Sequence, residues 1–184
     1  MIFTHETNNE PEQILHLGKY FKYWLYANEG KTRNPNFDDF SGAILNLKNE
    51  EEYAITYFLN RLKEMLGDNF VVCYVPSHDP EKTRSGIRTL AQRVANAKTS
   101  IVDGTGCLVR TQKIPKLASG GSRSIDVHLR SLKVENPELI QGKDVLILDD
   151  VTITHGSLLA CKQILQQAGA KFVQCVALGQ TQLE

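Results

Sequence analysis

The sequence predicts an α/β fold: a parallel-sheet, Rossmann-like core with a partly β N-terminal extension. Three observations carry this expectation. Apolar runs at 70–75 (FVVCYV), 145–148 (VLIL) and 172–178 (FVQCVAL) are too short for helices and rich in β-branching, as strands covered on both faces require. The first two lead through polar turns into stretches with helical spacing, which is the β-loop-α rhythm of a parallel sheet. At 184 residues and 41% hydrophobic, the chain suits one well-cored domain rather than two. It divides into an extension over 1–48 and a core over 49–184, with an insert at about 112–134.

In the extension, ILHLGKYFKYWLYA at 14–27 gathers Trp24 and four further aromatics and fits a strand or hairpin better than a helix. Core packing is its default role, with an extra strand, a cover over a ligand pocket or a dimer contact as alternatives. Residues 28–36 read as a loop, and 1–12 as a disordered terminus. Asn49 followed by three Glu residues predicts a helix start, and Ile55, Phe58, Leu62 and Leu66 give its buried stripe up to Gly67.

The strand at 70–75 runs into Pro76, Ser77 and His78 and a turn ending near Arg84, Ser85 and Gly86. Ile87, Leu90, Ala91 and Val94 then repeat at helical spacing. GCLVRTQ at 106–112 reads as another strand. In the insert that follows, Gly120 and Gly121 mark a hinge and Ser122 is a cap for a short helix carrying Ile125, Val127, Leu129 and Leu132. A long glycine-containing insert in an α/β domain is often a lid.

Residues 144–168, DVLILDDVTITHGSLLACKQILQQA, hold the best clue to function. The strand at 145–148 delivers Asp149 and Asp150 to the carboxyl edge of the sheet, where open α/β sheets bind ligands and the next helix points its N–H groups. Thr152, Thr154, Gly156 and Ser157 place small or hydroxyl-bearing residues around those donors. Leu158, Cys161, Ile164, Leu165 and Ala168 form the helix's buried stripe before Gly169 ends it. A strand end and an ordinary cap need one such residue, whereas this loop offers several behind paired acids. Carboxylates accept hydrogen bonds from vicinal hydroxyls or bind Mg²⁺ directly or through water, while the loop holds a phosphate about one ribose length away.

VLILDDVTITHGS resembles the ribose-phosphate signature of the type I phosphoribosyltransferases: an apolar strand, two acids, an apolar residue, a Thr-Thr-Gly-like loop and a Thr or Ser. The strand, basic turn and helix at 70–94 look like the pyrophosphate-side segment of the ComF-like branch, where a Val-Pro dipeptide leads into a basic turn. The resemblance covers roughly residues 69–180 in the same order, and the insert falls where a mobile hood follows in that family. It implies a phosphoribosyltransferase-type core that binds phosphoribosyl pyrophosphate (PRPP) or a nucleotide with Mg²⁺ and transfers the phosphoribosyl group to a nucleobase-type acceptor. Asp149 and Asp150 would take the ribose hydroxyls, with a metal contact directly or through water. Residues 152–157, Ile153 and His155 included, would take the 5′-phosphate, and Arg84, with Ser77 and Arg110 behind it, the pyrophosphate. No residue stands out as a general base.

Two positions depart from the pattern. Ile153 stands where the first Thr is usual and removes a hydroxyl contact, leaving its backbone N–H. His155 stands where Gly is usual, a place for positive φ or close approach of backbone to phosphate. Histidine tolerates left-handed conformations better than most residues, and as imidazolium it pairs with phosphate. These departures motivate an alternative, a catalytically silent module that senses PRPP or a nucleotide.

Charge adds a further alternative. The chain is neutral, with 21 basic and 21 acidic residues, and so has no global footprint for nucleic acid. Between Lys82 and Lys133, however, stand eleven Lys and Arg against Asp103 and Asp126 alone. Arg84, Arg110, Lys113, Lys116 and Arg123 fall in turns or strand ends and are the better ligand candidates; Arg88 and Arg93 read as solvated helix faces. Such a patch also suits a ComF-like protein acting with DNA, a less favoured partner. A homodimer is left open. Cys73, Cys107, Cys161 and Cys175 form no CxxC pair and read as reduced core thiols, so the zinc-binding N-terminal element of many ComF-like proteins is missing. Without a signal peptide, membrane span or lipidation signature, the expected location is cytoplasmic.

Overall fold

A computed structural model describes residues 2–4, 14–27, 30–115 and 125–182. Its centre is a five-stranded parallel sheet. In chain order the strands are β1 (Leu15–Tyr20), a hairpin of β2 (Trp24–Ala27) and β3 (Gly30–Arg33), β4 (Val71–Tyr74), β5 (Val102–Asp103), β6 (Leu108–Arg110), β7 (Leu132–Val134), β8 (Asp144–Thr152) and β9 (Phe172–Thr181). The helices are α1 (Asp39–Lys48), α2 (Glu52–Met65), α3 (Gly86–Ala95), α4 (Ile125–Ser131) and α5 (Gly156–Gln167). The sheet order is β1-β9-β8-β4-β5.

Strand alternation divides the core. Val72, Tyr74, Leu146, Leu148, Val176 and Leu178 face one layer, built from α1, α2 and α3. Val71, Cys73, Val145, Ile147, Val173 and Cys175 face the other, built around α5 with Leu108 and Leu132. The sheet is thus covered on both sides, and its strands are apolar on both faces as the sequence predicts. All four cysteines are buried and free.

Several expectations change at the periphery. The segment 106–112 does form a strand, β6, but it pairs antiparallel with β7 outside the main sheet. Asn49 does not start a helix: it caps the C-terminus of α1, and α2 begins three residues later behind Glu51. Helix α1 over Asp39–Lys48 is an element that the sequence patterns above do not predict. Its signals are a side-chain cap from Asp38 Oδ1 to the Ser41 N–H at 2.8 Å and the buried positions Ala43, Ile44 and Leu47. Half of the loop expected at 28–36 is instead β3, which pairs with β2 from Trp24↔Arg33 to Ala27↔Gly30. The start of the chain is not loose throughout: Ile2 and Phe3 are buried, and Phe3 bridges to Leu66. Gly120, Gly121 and Ser122 lie outside the described residues, whereas the short helix expected after them is α4, which carries Ile125, Val127 and Leu129 but ends at Ser131, so that Leu132 begins β7 instead.

Two connections set the site. The chain leaves β4 through α3 toward β5 at one edge, then returns to β8 on the other side of β4 and continues through α5 to β9. The gap between the carboxyl ends of β4 and β8 is therefore the switch point where open α/β sheets form a crevice. The register Tyr74↔Leu148 and the Val75 N–H to Leu148 O bond of 2.9 Å bring Pro76–His78 beside Asp149–Asp150.

Candidate functional site

Asp149 and Asp150 come off β8 in opposite circumstances. Asp149 is buried; its Oδ1 accepts the Asp150 N–H at 2.9 Å and its Oδ2 accepts the Ser157 hydroxyl at 3.3 Å. Burial first, and then the neighbouring Asp150 charge, raise its pKa to about 8. Asp150 is partly exposed and forms a 3.4 Å ion pair with Lys48 Nζ at the end of α1. Lys48 is a site residue that sequence reasoning missed, because the helix carrying it was not recognised.

The loop from Thr152 to Ser157 turns the chain into α5. Thr152 is buried, and its Oγ1 accepts the His155 N–H at 3.1 Å. His155 adopts φ 63°, the left-handed state that glycine favours, and occupies the cap position without a side-chain cap bond. Its ring Nε2 lies 3.1 Å from that of His16 on β1, a second residue the sequence did not reveal. Ile153 is half-buried and Thr154 exposed.

Two cavities meet at these groups. One, of about 410 Å³, is lined by both acids, Ser157 and Lys48 together with Ser77, His78, Lys82, Ser85, Gly86 and Arg110. The other, of about 610 Å³, is lined by 151–157 and by aromatic residues of the extension: Tyr20, Tyr23, Trp24 and Tyr26, with Lys22. Lys48, Val151, Ser157 and His128 border both. His128 on α4 is almost fully buried and neither ring nitrogen has a hydrogen-bond partner among the described residues; burial, then Arg110, lower its pKa.

The expected pyrophosphate residues separate. Ser77 lines the smaller cavity, and its Oγ accepts the Asp79 N–H at 3.3 Å. Arg84 does not reach that cavity: its side chain is 88% exposed and pairs with Glu50 at 3.6 Å. Arg110 borders the cavity, but its guanidinium donates to Ser77 O (2.9 Å), Pro76 O (3.2 Å) and Ser131 Oγ (2.6 Å). It anchors the 76–78 turn. Lys82 and His78 are the basic groups that the turn presents to the cavity.

Much of the basic run is already engaged. Arg93 pairs with Glu52, Lys98 with Asp68 and Lys113 with Asp79, while Arg88 lies over the Tyr74 ring. Lys116 and Arg123 lie outside the described residues. No group of three or more His, Cys, Asp or Glu residues that could hold a metal occurs among the described residues. Two adjacent carboxylates nonetheless fit a Mg²⁺ carried chiefly by a ligand's phosphates, since that ion commonly needs one or two carboxylates and keeps its waters. No described helix is long and apolar enough to cross a membrane.

No family model matches the chain. Among curated proteins it is similar to adenine phosphoribosyltransferase of Mus musculus, 29% identical over 122 residues, covering 54% of this chain and 68% of that protein. The enzyme of the same name from Rattus norvegicus is 28% identical with the same coverage. Solved structures to which the chain shows partial similarity include phosphoribosylpyrophosphate synthetase from Mycobacterium smegmatis (TM-score 0.37, 19% identity, 74% of this chain) and an allosteric regulatory enzyme of purine biosynthesis (TM-score 0.45, 20% identity, 84% of this chain). The chain spans about a third of the length of each, 33% and 34%. A hypoxanthine phosphoribosyltransferase from Staphylococcus aureus gives a TM-score of 0.37 at 15% identity, covering 78% of this chain and 68% of that one. Over the matched 122 residues, the chain is thus similar in sequence to adenine phosphoribosyltransferases.

Proposed function

We propose that this chain binds PRPP with Mg²⁺ and transfers the phosphoribosyl group to a nucleobase-type acceptor, as a ComF-like phosphoribosyltransferase of the cytoplasm folded as one unit. The observation that carries the reading is the meeting of two cavities at Val151 and Ser157, one lined by Asp149 and Asp150 and the other by the 152–157 loop. A sugar with a phosphate at each end needs this arrangement of two anion-accepting spaces flanking a pair of hydroxyl acceptors.

In this reading the 5′-phosphate lies against the first turn of α5, where N–H groups without intrahelical partners and the helix dipole favour an anion. Thr154 adds a hydroxyl donor, Ser157 adds another once its hydroxyl turns from Asp149 Oδ2, and the Ile153 amide serves where its side chain does not. The carboxylates accept the ribose hydroxyls. The pyrophosphate occupies the smaller cavity beside Ser77, His78 and Lys82, with Arg84 swinging in from solvent on release from Glu50 and Arg110 holding the turn in place. When bound, Mg²⁺ supplies charge neutralisation for the leaving pyrophosphate. The chain's own work is positioning and stabilisation of the positive charge that develops at ribose C1, for which the adjacent carboxylates are well placed. The aromatic wall of the larger cavity suits a planar acceptor.

A second reading has its own support. Asp149 is held toward its neutral form and Asp150 is tied to Lys48, so the free protein presents little net negative charge at the sugar position. A module that binds PRPP or a nucleotide without turnover would tolerate that. Pyrophosphate release, measured with PRPP, Mg²⁺ and a panel of purine and pyrimidine bases, separates the two. Turnover with one base that falls by about a hundredfold or more in Asp150→Asn supports transfer; PRPP binding without release from any base supports the silent module.

A further inference from the structure

His155 faces two ways. Its backbone is closed into the loop by the N–H to Thr152 Oγ1 bond, while its ring crosses to the edge strand and meets His16, Nε2 to Nε2, at 3.1 Å with ring centroids 5.2 Å apart. His16 is fixed in turn by the pairing of β1 on β9, where it stands opposite Ala177. The loop and the N-terminal extension thus meet at the head of α5 through an imidazole pair.

A bond between two Nε2 atoms requires a hydrogen on one and a lone pair on the other. The pair therefore carries no charge or one positive charge while the bond persists, and a second proton breaks it. Burial, and then His155, hold His16 below the usual histidine range, so its ring is neutral near pH 7 in the free protein. A dianion at the helix terminus reverses this preference, since a nearby negative charge favours imidazolium. The other titratable groups lining the adjoining cavity are Tyr20, Lys22, Tyr23 and Tyr26 of the extension, Lys48 of α1 and His128 of α4. On β9 the residues paired nearest His16 are Val176, Ala177 and Gly179, none of which titrates. Lys48 is already committed to Asp150.

We propose that His16 and His155 together form a proton-linked anion element of the 152–157 loop, in which a phosphomonoester dianion and one proton from solvent bind as a unit. His16 is then a positioning residue, and the N-terminal strand is part of the phosphate site. The identity of the ligand as a phosphomonoester rests on the phosphoribosyl reading above.

Calorimetric titration of ribose 5-phosphate at pH 7.5, without Mg²⁺ and in buffers of differing ionisation enthalpy, reads protons taken up per ligand. Wild type is expected to take up about half a proton more than His16→Asn or His155→Gly, and to gain affinity several-fold more than either variant between pH 8 and 6.5. Below that range the ligand's own second ionisation, near 6, reverses the trend. Imidazole NMR titration of the wild type, which needs neither variant, is expected to show the His16 pKa rising when ribose 5-phosphate saturates. Binding with equal proton uptake in all three proteins and an unmoved His16 overturns the proton-linked pair and leaves the phosphoribosyl reading standing. Failure of wild type to bind either ribose 5-phosphate or PRPP with Mg²⁺ overturns both.

Discussion

Asp149 sits where burial and the proposed role of a charged sugar-binding group conflict. Its carboxyl is enclosed, beside a second carboxylate, and its pKa is raised to about 8, mainly by burial. A folded-state pKa above the ordinary carboxyl value means that the folded protein holds a proton the unfolded chain has lost. Stability is therefore fullest below the usual carboxylate range, falls as pH rises, and has lost this contribution entirely once pH passes about 8. Asp149→Asn keeps the shape and removes the charge. In thermal melts without ligand it should match wild type near pH 4 and exceed it by about 2 kcal/mol or more at pH 8.5; equal melting curves at both pH values would refute the conflict. The two acids and the hydroxyl-rich loop were legible in the sequence because their types and spacing are themselves the signal. The burial of Arg110 was not, since it arises only when β6 brings that residue under the 76–78 turn.

At the level of elements, α1 and α3 show why the site's second wall was harder to read. The start of α3 lies so close to the end of α1 that a Cβ on Gly86 would come 1.8 Å from the carbonyl oxygen of Leu47. Lys48, next along α1, pairs with Asp150, and Ser85, which precedes Gly86, caps α3 with its side chain. Gly86→Ala should lower the melting temperature by roughly 6 °C or more, because backbone has to give way and repacking of this kind costs about 3 kcal/mol. A shift under about 2 °C would show that the two helices are free to separate. The strands β4, β8 and β9 and helix α5 were readable from apolar runs and helical spacing. Helix α1 escaped because the Asn-Glu run that follows it has the composition of a helix start, while serving as the end of one helix and the lead-in to the next. Strand β1 was recognisable as extended, but its parallel place beside β9 is a long-range pairing that no local pattern encodes.

Across the whole molecule, the sheet order places one βα unit on each side of the β4–β8 gap, and both deliver their loops to the same crevice. The basic turn region supplies the smaller cavity, and the N-terminal extension supplies the aromatic side of the larger one. Ion pairs to acids elsewhere in the chain explain why a run of basic residues need not make a basic surface: Glu50, Glu52 and Asp68 lie outside the run and meet Arg84, Arg93 and Lys98 within it. Trp24, the single tryptophan, lines the larger cavity and provides a fluorescence reporter there. The most direct measurement is calorimetric titration of PRPP with Mg²⁺ into wild type and Asp150→Asn. Binding by wild type that weakens roughly ten- to a hundredfold in the variant, the loss of a hydrogen bond to a charged group, is the predicted result. No binding by wild type, or equal binding by both proteins, would contradict the account.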